Sequence, residues 1–298
     1  MTTFTDVIEE TQSTLRGYTR NQDQTTWLTD PLPVWGADSM KVADANRVNA
    51  TVVEIEDELI EIDKIDRQSS IVTIPPYGRG AQGSTPAAHP QGVRVISDPL
   101  FPRMRVKRAI NDSILGLAGD LFDVRKDMIV YDCTKHGFAL PAAASGILDI
   151  RWRVRDSARR WIPVETWDVN LSADTTDFPS GVSVDIGDRV EHGASVLVTY
   201  SADPVEFSAD DDTLADVGLP ESARDLLAYG AVWRLLSNLD GARLASQTLA
   251  GRELAERMPV NVNSNLTQQI WRIYQVRLDR ERKALLSKYP GQIHKIRS

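Results

Sequence analysis

The sequence predicts an α+β protein: a helical core of N-terminal, central and two C-terminal helices, with an antiparallel β-sheet and an inserted small β-barrel-like module. Three patterns carry this. Apolar residues return at steps of three and four in residues 4–18, 102–122, 220–239 and 266–286, the period of one helix face. They alternate with polar residues around Val53, Ile60, Ile150, Val184 and Val198, the period of a half-buried strand. Glycine and proline crowd residues 75–85, where a loop is required. On these grounds the chain falls into residues 1–20 (N-terminal helix), 21–98 (inserted strand-rich module), 99–215 (central helix and antiparallel sheet), 216–290 (C-terminal helical pair) and 291–298 (basic tail).

In the first block, Phe4, Ile8, Thr11, Leu15 and Tyr18 share one helix face, and Gly17 marks its end. In the second, Val53 and Ile55 alternate with Glu54 and Glu56, and Ile60 and Ile62 alternate with Glu61 and Asp63. Asp57 and Glu58 are placed at a tight turn between these runs. A second strand pair, residues 71–74 and 93–96, is joined by the irregular loop, and the whole segment is expected to close into a compact barrel.

The central helix, residues 102–122, aligns Val106, Ile110, Ile114, Leu117 and Leu121. Arg103, Arg105, Lys107 and Arg108 lie in its first turns, where each cation opposes the helix dipole by about 0.3–1 kcal/mol. Two readings stay open: an acidic partner surface that receives them, or simple solvation. Beyond it, Ile150, Trp152 and Val154 alternate with arginines, and the runs Val182, Val184, Ile186 and Val196, Val198, Tyr200 extend one antiparallel sheet with a dry and a wet face.

At the helical end, Pro220 suits a first helical position, and Glu221 and Asp225 complement the positive end of the dipole. Leu226, Leu227, Gly230, Val232, Trp233, Leu236 and Leu239 cover more than one face, so this helix is expected to be buried. After the polar residues 258–263, Asn265 and Gln268 resemble a capping box. Leu266, Ile270, Ile273, Tyr274, Leu278 and Leu285 then form a narrow stripe, stopped by Tyr289, Pro290 and Gly291.

The 298 residues are 42% hydrophobic and 26% charged, ordinary values for a chain with a sizeable core. One cysteine, Cys133, rules out an internal disulfide and fits a reducing compartment. No window approaches the roughly 20 apolar residues of a membrane helix, and the start of the sequence has no targeting pattern, so an untargeted soluble protein is expected. The net charge of −8 excludes a generic duplex-DNA binder; it serves solubility, or keeps a surface from adhering to a passing polyanion.

Catalytic signatures are not found. His89, His136, His192 and His294 lie in separate segments without metal-ligand spacing, so no metal site and no cofactor are expected. Asp210, Asp211 and Asp212 lack the order of a calcium loop. Gly78, Gly80 and Gly83 match a dinucleotide fingerprint only as a string, since Pro86 and Pro90 follow where a helix should open. Cys133 has His136 three residues on, but no triad order.

The order of elements resembles head-to-tail adaptor (connector) proteins of tailed bacteriophages. The residues that carry the resemblance are the central helix from Arg103 to Asp112, the sheet entered through Phe138, Ala139, Leu140 and Pro141, and Leu219, Pro220 and Glu221 leading to Tyr229, Gly230, Ala231, Val232 and Trp233. Gly78, Arg79 and Gly80 with residues 83–92 look like a small β-module met in phage structural proteins. The resemblance spans nearly the whole chain. The strand-rich insertion departs from it, because minimal adaptors are helical and shorter.

The resemblance implies a non-enzymatic virion protein of the neck, below the capsid portal vertex, assembled in the host cytoplasm. It forms a ring of identical subunits, expected to be twelve-fold, that joins the portal to a neck stopper or tail terminator protein. DNA passes only as cargo, and no membrane is involved. Tyr289, Ile293, His294, Lys295, Ile296 and Arg297 are the expected portal contacts, ordering on docking or remaining a frayed end. Tyr77, Arg79, Gln82 and Thr85 are the expected downstream contacts, and Glu54, Glu56, Glu58 or Glu61 would line an acidic bore. Arg272, Arg277, Arg280, Arg282 and Lys283 would form polar seams between subunits. A tail or baseplate module is the alternative; a virion-associated hydrolase would need a cleft of perturbed carboxylates.

Overall fold

A computed structural model describes residues 1–18, 24–49, 51–135, 137–153, 160–249 and 261–289. The chain is α+β, as its periodicities predict, and divides into two compact units: Thr5–Asp112 with Leu227–Trp271, here the hairpin unit, and Met1–Phe4, Ser113–Leu226 and Arg272–Ser298, here the long-strand unit.

Helix α1, Phe4–Tyr18, has the predicted bounds. Phe4, Ile8, Thr11 and Leu15 are buried together with Val7, and the buried Thr11 hydroxyl donates to the Val7 carbonyl at 2.8 Å. Seven strands follow in the hairpin unit: β1 Gln24–Trp27, β2 Ser39–Lys41, β3 Val52–Ile55, β4 Glu58–Glu61, β5 Lys64–Asp66, β6 Ile71–Thr73 and β7 Arg94–Ser97. They do not close into the expected barrel. They form two open antiparallel sheets, β1-β7-β3-β4 and β2-β6-β5. The runs at 71–74 and 93–96 are therefore not partners, since β6 pairs with β2 and β5 while β7 pairs with β1 and β3.

One core serves both sheets, with Val53, Ile55, Ile60 and Val95 from the larger and Met40 and Val72 from the smaller. The β3–β4 hairpin closes on Ile55 and Glu58, which puts Glu56 and Asp57 in the turn, one residue earlier than expected. Glu56 takes the turn's left-handed conformation at φ +55°.

Helix α2, Arg103–Leu115, is shorter than the predicted 102–122. Its last turn tightens, with Leu117 N–H donating to Ile114 at 2.9 Å and Ala118 N–H to Leu115 at 3.3 Å, and Gly119 follows at φ +83°. Leu117 and Leu121 are nevertheless buried. The cations of its first turns find an acidic surface within the chain. Arg103 Nε lies 3.1 Å and Lys107 Nζ 2.5 Å from the Asp57 carboxylate, the Arg103 N–H donates to Glu54, and Arg105 donates to Gln82 at 3.0 Å.

The long-strand unit contains β8 Asp123–Val130, β9 Phe138–Ala139, β10 Ala144–Arg153, β11 Ile162–Pro163, β12 Trp167–Asn170, β13 Ser183–Ile186 and β14 Ser195–Ala202. The strands expected in one sheet are split between two, β11-β10-β14-β8 and β12-β13-β9, all antiparallel. Ile150, Val196, Val198 and Tyr200 of the first share a core with Phe138, Val184 and Ile186 of the second.

Pro220 is extended, at φ −71° and ψ 154°, and precedes a 3-10 turn, Glu221–Ala223, so it stands before the helix instead of at its first position. Helix α3 runs Arg224–Leu249, past the expected end at 239, through residues without proline and rich in alanine and leucine. Leu226, Leu227, Ala228, Gly230, Ala231 and Val232 are all buried, as expected of a helix apolar on several faces. Helix α4, Asn261–Lys288, already contains Asn265 and Gln268, so these residues do not cap it. Ile270, Tyr274 and Leu278, four apart, are its buried stripe. In the hairpin unit the Trp233 and Trp271 rings meet at 4.3 Å. No described helix is long and apolar enough to cross a membrane.

Candidate functional site

Strand alternation would place Glu54 on the wet face and the expected turn would expose Glu58, yet both are buried, at 2% and 1% exposure. A buried carboxylate persists only when its lone pairs are filled and its charge is matched. Glu58 meets both conditions through the glycine-rich loop. Arg79 grips it at two points, Nε to Oε1 at 2.6 Å and Nη2 to Oε2 at 2.9 Å, and the backbone N–H groups of Gly80 and Ala87 donate to it at 3.1 and 3.0 Å. Gly80 sits at φ +68°, and a β-carbon there would lie 2.9 Å from the Pro86 ring and the Ser84 carbonyl, so glycine is needed for the loop to approach the carboxylate.

His89, 2% exposed, completes the cluster. Its Nε2 lies 2.8 Å from Glu58 and its Nδ1 2.8 Å from Glu56, and its backbone is bridged in both directions to Leu32, at 2.8 and 2.9 Å. Two carboxylate acceptors require both ring nitrogens to donate, so the imidazole is cationic. Burial pushes His89 down and Glu58 up, but the mutual hydrogen bonds win. His89 is raised above its ordinary value, and Glu58, held also by Arg79 and the Ala87 N–H, is lowered to about 2. Two carboxylates thus face two cations, and the cluster is electrically balanced.

Arg79 has a second task. Its Nη1 donates to the Pro33 carbonyl at 2.7 Å and its Nη2 to the Ala87 carbonyl at 2.6 Å. The guanidinium therefore tacks the segment around Pro33 to the glycine-rich loop. Each segment presents a large aromatic side chain to solvent: Trp35 is 82% exposed and Tyr77 99% exposed. Such exposure on a hydrogen-bonded scaffold suits a contact surface, because an ordered loop loses little further freedom on binding.

Of the expected downstream contacts, Tyr77 and Thr85 are exposed. Gln82 is exposed and held by Arg105. Arg79 is withdrawn from any contact role, since its buried ion pair with Glu58 leaves its side chain only 11% exposed. Glu54 and Glu58 are likewise withdrawn from any acidic bore, whereas Glu56 and Glu61 remain exposed. Tyr289 is half-buried after α4, its N–H donating to Leu285 at 3.0 Å. Ile293, His294, Lys295, Ile296 and Arg297 lie outside the described residues, as does His136.

Two of the seam cations act within the long-strand unit. Arg277 lies 3.6 Å from Asp225, and Arg282 3.3 Å from Asp120. Arg272, Arg280 and Lys283 are exposed. The aspartates at 210–212 belong to a turn, where Asp212 accepts from the Ser208 N–H and hydroxyl and the Ala209 N–H at 2.7–2.8 Å. Elsewhere, Asp132, Cys133 and His192 bring metal-ligating atoms within 4.8 Å of one another, a grouping that the histidine spacing does not show because His192 is 59 residues from Cys133.

Trp35 has a signal that sequence reading passed over: a large aromatic lodged between Pro33 and Gly36 is a loop residue by composition. Glu58 and His89 have none, because their partners are 21 and 31 residues away along the chain. No protein-family model matches the chain, and no curated protein is significantly similar to it.

Proposed function

We propose that this chain is a structural virion protein of a tailed bacteriophage, a head-to-tail adaptor that forms a ring between the portal and the next neck component and lets DNA pass through its bore. The reading rests on the resemblance of its sequence elements to that class. The structural observation that supports it is the presentation of Trp35 and Tyr77 on two segments fastened by Arg79, a surface built for contact. We assign this surface to the downstream neck protein and the basic residues of 291–298 to the portal. A ring contact is heterologous, with one side of each subunit matching the opposite side of the next. The exposed Arg272, Arg280 and Lys283 of α4 are available for such seams, and Glu56 and Glu61 are the carboxylates left to line the bore.

The test is a reconstruction of the assembled particle together with a double substitution, Trp35→Ala and Tyr77→Ala. The expected result is a twelve-fold ring beneath the portal, with the variant still folded and portal-bound but unable to take on the downstream protein. Crosslinks from residues 77–85 into the portal would reverse the orientation. A three- or six-fold position in the tail or baseplate would replace the adaptor reading, and turnover of a cell-wall substrate by the purified protein would end the structural one.

A further inference from the structure

In the long-strand unit, β8 and β14 pair without a break from Asp123 opposite Ala202 to Val130 opposite Ser195. The ladder continues one step into the connecting segments, with Tyr131 N–H donating to Ala194 at 2.9 Å and Gly193 N–H to Tyr131 at 2.8 Å. Residues 132–133 and residue 192 are therefore held opposite one another by sheet register. Across that gap Cys133 Sγ stands 3.6 Å and Asp132 Oδ1 3.7 Å from the same atom, His192 Nδ1.

These edges have a chemical meaning. Tetrahedral zinc, with Zn–S of about 2.3 Å and Zn–N of about 2.0–2.1 Å, requires sulfur and nitrogen ligands to be about 3.6 Å apart. One sulfur, one nitrogen and one oxygen converge here within 4.8 Å. The carboxylate is also held in place, since Asp132 Oδ1 accepts from the Thr134 N–H at 3.0 Å and the Thr134 hydroxyl at 2.7 Å. Cys133 and His192 are exposed, so a cation has an open approach and a fourth position for water.

We propose that Asp132, Cys133 and His192 form a binding site for a borderline-soft divalent cation, zinc above magnesium or calcium, with water completing the tetrahedron. The mixed sulfur, nitrogen and oxygen donor set selects against the hard cations. Binding forms a metal–thiolate bond and releases the Cys133 thiol proton to solvent. The proposal stands independently of any role in a phage neck.

The experiment uses the full chain under reducing conditions with the metals alone. Addition of cobalt(II) is expected to produce a thiolate-to-metal charge-transfer band in the near ultraviolet, reaching one equivalent per chain and displaced by zinc. Zinc, and not magnesium, is expected to slow modification of Cys133 by a thiol reagent at least tenfold. Cys133→Ser should remove the band, and His192→Ala and Asp132→Asn should each raise the cobalt concentration at half-saturation by about tenfold or more. All three positions are at the surface, and circular dichroism would verify that each variant folds. Absence of the band at millimolar cobalt, or a band unchanged in His192→Ala, would overturn the proposal.

Discussion

The Arg79 guanidinium meets the Glu58 carboxylate edge to edge, with both contacts under 3 Å and the carboxylate wholly buried. This pair joins strand β4 to a loop that composition alone describes as irregular. Replacing Glu58 by glutamine keeps the shape and removes the charge, leaving Arg79 and His89 facing a neutral amide. Breaking a buried pair from one side costs about 3–5 kcal/mol. Urea unfolding of Glu58→Gln should show a loss of that order, while Glu61→Gln, at an exposed position of the same strand, should stay within about 0.5 kcal/mol. Equal effects would remove the clamp from the account.

The cluster also sets a pH dependence. An unfolded histidine releases its proton near 6.5, whereas His89 in the folded chain holds it to higher pH, so its stabilisation is full below about 6.5 and fades as pH rises through the raised folded value. Glu58 behaves oppositely, with its contribution present above 4.5 and lost as pH falls toward about 2. The hairpin unit should therefore be most stable between these limits. Thermal midpoints taken from pH 6.5 upward should fall more steeply in the native protein than in His89→Gln; parallel curves would contradict this.

Gly218 stands at φ +79°, and a β-carbon there would lie 2.7 Å from Asp123 Cβ. Both the conformation and the space exclude a side chain. Gly218→Ala should destabilise the long-strand unit by about 1–3 kcal/mol, read as a lower denaturant midpoint with an unchanged slope. A neutral outcome would mean that the approach of 218 to 123 relaxes freely.

The ion pair between Arg277 and Asp225 has both side chains more than 40% exposed, so solvent screens it. Arg277→Ala should change stability by less than about 1 kcal/mol. A larger loss in the isolated chain would show that this contact is more than a surface pair.

Where local chemistry decides structure, the sequence was readable. Phe4, Ile8, Thr11 and Leu15 announce α1 because a helix face is a matter of spacing alone. Strand β8 was not foreseen. Its Asp123, Arg125, Lys126 and Asp127 disguise the period of two, and it can carry them because it is the edge strand of its sheet, where charge discourages further pairing. Glu54 misled in the opposite sense, since alternation assumes that a carboxylate faces water, and Glu58 misled as an expected turn residue; no local signal reveals Arg103, Arg79 or His89 folding over them. Of the candidate contact surface, Tyr77 was legible from its loop, while the role of Arg79 depends on Pro33, 46 residues away.

Because the boundaries between the two units fall at 4/5, 112/113, 226/227 and 271/272, the polypeptide threads back and forth four times. No single cut separates one unit whole from the other. A growing chain on the ribosome must be translated as far as Trp271 before the hairpin unit has all its parts, and further still for the other. A chain truncated before that point lacks residues of the hairpin unit and should be recovered mainly in the insoluble fraction.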